Sequence, residues 1–129
     1  MANRKFVAKE LGNIFGVLSH PDRVRIVTEL RSAEMDVNSL QTALGVSHSR
    51  VSQHLSLLRS QRMVLERREG RHVFYRLRQP ALGRWLLDGL QFVERDVELA
   101  VELREAVAEV KGLWALPPTL EEVGALIPD

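Results

Sequence analysis

The side chains best equipped for chemistry in this sequence lie between Ser47 and Arg78. Ser47, His48, Ser49, Arg50, Ser52 and Gln53 bring hydroxyl, imidazole, guanidinium and amide groups together over a short stretch, and Arg67, Arg68, Arg71 and His72 gather around Gly70. A guanidinium can pair with two acceptors of a guanine edge, and a carboxamide can pair with an adenine edge. Clustered arginines are the usual partners of phosphates. From Ser47 to Arg78, Arg50, Arg59, Arg62, Arg67, Arg68, Arg71, Arg76 and Arg78 face only Glu66 and Glu69, a local balance of +6. Further on, Asp88, Glu94, Asp96, Glu98, Glu102, Glu105 and Glu109 outweigh Arg95 and Arg104, giving −5. The net charge of +1 hides this asymmetry. It predicts one surface that meets a polyanion and another that does not, although two solvated helix faces would give the same count.

Catalytic chemistry finds no support. The chain has no cysteine, which removes thiol nucleophiles, thiolate metal sites, disulfides and redox switches together. It has no Gly-rich phosphate loop, no HExxH and no GxSxG. Its serines and aspartates come with no placed histidine. His48 and His54 miss the i, i+4 spacing that brings two imidazoles to one ion. His54 reads as a packing or hydrogen-bonding residue and His20 as a helix-start residue. The acidic face from Glu94 to Glu109 reads as solvated carboxylates. Trp85 and Trp114 could line an effector pocket, but interface or core positions are the plainer reading. No metal and no cofactor are expected.

The elements that must position these groups are mostly helical. At 129 residues the chain suits one domain with a real core. No apolar run approaches the ~20 residues of a membrane span. Met1 to Lys5 does not lead into the apolar stretch of a secretory signal, so a cytoplasmic location is expected. Phe6 or Val7, Leu11, Ile14, Phe15 and Leu18 recur at helical spacing. Ser19-His20-Pro21-Asp22 reads as a break and restart, with Pro21 at the first helical position. Val24, Ile26, Val27 and Leu30 then mark a second helix. A short third helix, with Val37, Leu40 and Leu44 inward, ends at Gly45 as a left-handed cap. Ser47 caps the next helix, in which Val51, Leu55 and Leu58 face inward and the polar residues crowd the first two turns.

From Val64 the period changes to alternation, and Val64–Glu69 and His72–Leu77 read as a β-hairpin turning at Gly70. Leu82 to Lys111 reads as one helix ~45 Å long, with Leu86, Leu90, Val93 and Val97 on its apolar stripe. A rod of that length needs a partner, and a second copy of the chain is the simplest. Leu11, Ile14 and Phe15 of the first helix join the predicted dimer interface. A tail from 112 to 129 breaks at Pro117-Pro118, and Thr119 with Glu122 makes a capping box before a short helix.

Three segments in this order carry a resemblance. Leu18-Ser19-His20-Pro21-Asp22-Arg23-Val24-Arg25-Ile26-Val27 is similar to the second-helix signature of the ArsR/SmtB family of bacterial repressors. Gly45 to Arg59 resembles its recognition helix, and Arg68-Glu69-Gly70-Arg71-His72-Val73-Phe74-Tyr75-Arg76-Leu77 resembles its wing. The resemblance covers roughly residues 8–105. It implies a homodimer joined through its first and last helices, and a DNA affinity that an inducer lowers. The family's thiolate metal site would fall in Glu34–Leu40, where Asp36 and Asn38 stand in place of the two cysteines. The alternative site on the final helix requires histidines, and none follows His72.

The expectation is therefore a mostly α fold with a small β-hairpin: a winged helix-turn-helix, dimeric through N-terminal and long C-terminal helices. Residues 1–111 would form the DNA-binding and dimerisation domain and 112–129 a C-terminal extension. The expected function is sequence-specific recognition of double-stranded DNA by a transcriptional repressor, with an unidentified effector as a further partner and no membrane association. A winged-helix protein-interaction module is the alternative. Ser47, His48, Ser49, Arg50, Ser52, Gln53, Arg67, Arg68, Arg71 and His72 are the predicted DNA contacts.

Overall fold

A computed structural model describes residues 2–94 and 101–115. In chain order it shows α1 (Ala2–Val17), α2 (Pro21–Glu29), β1 (Met35–Asp36), α3 (Val37–Leu44), α4 (His48–Ser60), β2 (Val64–Glu69), β3 (His72–Leu77), α5 (Ala81–Asp88), α6 (Leu90–Glu94) and α7 (Val101–Ala115). The chain divides into two compact units, residues 1–83 and 84–129. No helix among the described residues is long and apolar enough to cross a membrane.

The first unit is built on apolar side chains at helical spacing. Ile26, Val27 and Leu30 from the second helix, Leu40 and Leu44 from the third, and Val51, Leu55 and Leu58 from the fourth are all buried. Val64 and Leu77, paired across the hairpin, close this core from the sheet side. Each such side chain contributes about 1.5–3 kcal/mol by leaving water. The hairpin pairs Val64 with Leu77 through to Glu69 with His72, leaving a two-residue loop in which Gly70 takes φ 60°, a backbone region that favours glycine. The sheet has a third strand that alternation alone did not predict. Met35 and Asp36 pair antiparallel with Tyr75 and Phe74, giving the order β1-β3-β2.

Helix ends follow the local sequence. Pro21 opens α2, and the His20 ring at its N-cap accepts from the Asp22 backbone N–H at 3.0 Å. Asp36 caps α3 by accepting from the Ser39 N–H at 2.7 Å, and Gly45 ends it at φ 70°. The α1 helix carries apolar side chains at helical spacing yet buries none of its own residues: Phe6 is 65% and Phe15 is 55% exposed.

The C-terminal half departs from the sequence expectation. The single helix foreseen from Leu82 to Lys111 is interrupted at Gly89, whose N–H donates to Leu86 O and whose carbonyl accepts from Phe92 N, both at 3.0 Å. Glycine is among the poorest helix formers, and here the chain takes tight three-residue turns instead. Gly83 serves a different purpose. A Cβ at that position would come within 2.7 Å of Arg31 Cβ, so the missing side chain lets α5 begin against the loop after α2. Helix α7 continues through Gly112 to Ala115 rather than stopping at Lys111. Val97 and the capping box at Thr119 lie outside the described residues.

Candidate nucleic-acid interface

Helix α4 divides cleanly into two faces. Val51, Leu55 and Leu58 are fully buried, while His48, Ser49, Arg50 and Gln53 are exposed and Ser52 is half-buried. The helix is set at its start by Ser47, whose hydroxyl accepts from the Arg50 N–H at 3.2 Å and lies 3.3 Å from the Ser49 hydroxyl. The turn before it is fixed from α2: Arg25 donates to Ala43 O at 2.7 Å and Leu44 O at 3.0 Å, so one guanidinium holds the C-terminal carbonyls of α3. Three elements thus determine how the polar end of α4 is presented.

The hairpin carries its arginines in two different states. Arg71 and His72 stand exposed at the tip, and neither takes part in an ion pair among the described residues. Arg68 is largely exposed, its Nε 3.7 Å from a Glu66 oxygen. Arg67 is committed to the protein. It donates to Glu34 from Nε at 3.2 Å and from Nη2 at 2.5 Å, and to Glu69 from Nη1 at 2.7 Å. Its guanidinium also lies 4.7 Å over the Phe74 ring. The hydrogen bonds from Arg67 hold the Glu34 carboxyl below the usual carboxylate range. Arg67, one of the predicted DNA contacts, is also a strut between the wing and the segment entering β1. Alternation along β2 could not show this, because Glu34 is distant in sequence. Glu66 is a second hub: it pairs with Arg59 at 3.0 Å and accepts from the Tyr75 hydroxyl at 3.4 Å. Burial, with Glu66 adding to it, raises the Tyr75 phenol above its ordinary pKa.

The segment to which the resemblance assigned thiolate metal binding does not fit that role. The Asp36 carboxylate is spent on the α3 cap, its pKa held low by Ser39, and Asn38 is exposed on the first turn. Sequence reasoning also kept His20 and His54 apart, whereas the fold brings them together with ring centroids 4.5 Å apart.

Of the predicted interface residues, Leu11 and Phe15 are exposed and Ile14 is half-buried. In the second unit Leu86 and Leu90 are half-buried and Val93 is exposed.

A two-helix turn with a buried back and a polar front, followed by an arginine-tipped hairpin, defines a winged helix-turn-helix protein. Residues 20–65 match the family model described as "Bacterial regulatory protein, arsR family". Among curated relatives, the chain is 32% identical over 100 residues to the nodulation protein NolR of Rhizobium meliloti, covering 78% of this chain and 81% of that one. It is 43% identical over 70 residues to the transcriptional repressor SmtB homolog of Synechocystis, covering 54% of this chain and 53% of that one. The crystal structure of the transcriptional repressor BigR from Xylella fastidiosa superposes with a TM-score of 0.63 at 32% identity, covering 71% of this chain and 93% of that chain. The chain belongs to the arsR family of bacterial regulatory proteins. It spans 53%, 59% and 63% of the length of the Synechocystis SmtB homolog and two mycobacterial regulators it also resembles.

Proposed function

We propose that this protein is a transcriptional repressor that binds an inverted-repeat operator in double-stranded DNA as a homodimer, acting by binding and without catalysis. The observation that carries this reading is the arrangement of α4. Its apolar face is fully buried, so His48, Ser49, Arg50 and Gln53 are held outward at the end that enters a major groove in helix-turn-helix proteins. Arg50 reads guanine, Gln53 reads adenine, and Ser47, Ser49 and Ser52 lie where hydroxyls reach phosphate. Arg67, Arg68, Arg71 and His72 meet the backbone beside the adjacent minor groove, and Arg67 also orients the wing that carries them. The names of the SmtB homolog and BigR, both called transcriptional repressors, favour the same reading. Dimerisation uses Leu11, Ile14 and Phe15 with Leu86, Leu90, Val93 and Val97. Residues 1–111 form the working domain and 112–129 an extension to it.

Selection of bound duplexes from a random library at physiological salt tests this. An inverted repeat with half-sites about one helical turn apart, 34–36 Å, is expected. On that site Arg50→Ala should cost roughly 1–3 kcal/mol with little change on random DNA. Arg71→Ala should weaken both alike and lower the salt slope by about 1. Equal losses from Arg50→Ala on both DNAs would remove its base-reading role. Recovery of no sequence above background would favour a protein-binding winged helix.

A further inference from the structure

Two imidazoles and a carboxylate converge on the core side of α4, away from its polar front. His54 is 9% exposed, and its Nε2 lies 3.5 Å from Asp22 Oδ2. The His20 ring lies against it in a tilted contact, 4.5 Å between centroids with the planes at 52°. One ring nitrogen from each histidine and one carboxylate oxygen all fall within 4.8 Å of one another. Around a tetrahedral zinc ion with bonds of about 2.0–2.2 Å, neighbouring ligand atoms stand roughly 3.4 Å apart. The His54–Asp22 separation already has that length, and a small side-chain adjustment of His20 supplies the third ligand.

A second observation points to a ligand. Among the described residues the Nε2 atom of His54 is sealed from solvent and has no hydrogen-bond partner; at 3.5 Å its contact with Asp22 is longer than a well-formed hydrogen bond. Buried polar atoms without partners are rare and mark strain, function or a missing ligand.

We propose that His20, Asp22 and His54 form a binding site for a divalent transition-metal ion of the zinc class, with the fourth position open to water. The site lies between α2 and α4, apart from Glu34–Leu40 and the final helix, where the family resemblance places metals. Burial, followed by the nearby His20, keeps His54 below the usual histidine range although Asp22 pulls the other way. Neutral imidazole is the ligating form. The neighbouring cation is Arg23, whose Nη1 lies 3.4 Å from His54 Nδ1 and whose Nε is anchored on Val17 O at 2.6 Å. It therefore sits at the ring nitrogen that the metal does not use.

Coordination has a structural consequence. In the metal-free state His20 Nδ1 accepts the α2 cap bond from the Asp22 N–H. A metal on Nδ1 takes that lone pair, and a metal on Nε2 moves the ring proton to Nδ1; the cap bond is given up either way. Loading the site thus alters the first turn of α2 and the back of α4 together. An effect on operator affinity rests on the DNA-binding reading above, but the existence of the site does not.

The test uses the full chain stripped of metal and titrated with Co²⁺, then Zn²⁺, with affinity measured against a chromophoric chelator. One ion per chain is expected, with the visible absorption of tetrahedral Co²⁺ bleached by Zn²⁺. Asp22→Asn, His20→Gln and His54→Gln should each weaken binding by at least about tenfold, since even outer-shell changes cost that much. Circular dichroism confirms the fold of each variant. If His54→Gln does not fold, the two variants at the half-buried positions decide. Absence of uptake, or affinity unchanged in Asp22→Asn and His20→Gln, overturns the site without touching the DNA-binding reading.

Discussion

Arg62 adopts φ 59°, in the left-handed region where side-chain-bearing residues are disfavoured. It follows α4, and the bonds Gln61 N to Leu57 O, Arg62 N to Arg59 O and Met63 N to Leu58 O close the helix in the pattern usually built on glycine. A left-handed L-residue costs roughly 1–2 kcal/mol, and glycine gives back up to about 1 kcal/mol of that in chain entropy. Arg62→Gly should therefore raise stability by about 0.5–1 kcal/mol, read as a Tm increase of a few degrees in thermal denaturation. A lower Tm would mean that the Arg62 side chain contributes more than its backbone strain costs. At this scale the sequence was informative where one residue type answers one local need. Gly45 and Ser47 were legible because a left-handed cap and an N-cap each favour few residues. Arg67 was not, because its partner Glu34 is reached only through the fold. The same is true of His20 and His54.

At the level of elements, the wing is held by side chains rather than by its own turn. Arg67 ties β2 to Glu34 just before β1, and the short β1 pairs with β3. Glu34→Gln removes the charge from this tie while leaving the core untouched. Backbone amides from Arg67 to Phe74 should then exchange with solvent faster, with little change in overall Tm because the pair is at the surface and screened. Acid should have the same effect. The folded Glu34 pKa lies below its unfolded value, so its contribution is complete above the unfolded value and fades as pH falls through the folded one. Unchanged exchange in the variant would assign the wing's order to the Phe74 contact and the strand ladder alone. The hairpin itself was legible from its alternation, whereas β1 is too short for any period to register. The interruption at Gly89 was missed for a related reason. The apolar spacing continues across it, and spacing records which face is apolar but not whether the helix beneath is continuous.

For the whole molecule, the decisive features are the charge asymmetry and the apolar surface of α1. The first unit forms its core without α1, since none of that helix's residues is buried while the other three helices and the hairpin fill the interior. Phe6, Val7, Leu11 and Phe15 stay exposed along it, and exposed apolar side chains gathered on one helix mark a surface suited to a partner. Phe15→Glu tests whether a second copy covers it. With Phe15 at 55% exposure, the change should alter the circular dichroism of the chain little. In the proposed dimer it would bury two unpaired carboxylates across a two-fold axis, each costing several kcal/mol. Light scattering should then report a monomer, and affinity for the inverted repeat should fall to that of a half-site while salt sensitivity per recognition helix stays the same. If the variant remains dimeric with full operator affinity, α1 lies outside the interface. The C-terminal unit, through Leu86, Leu90 and Val93, would then have to join the two copies unaided.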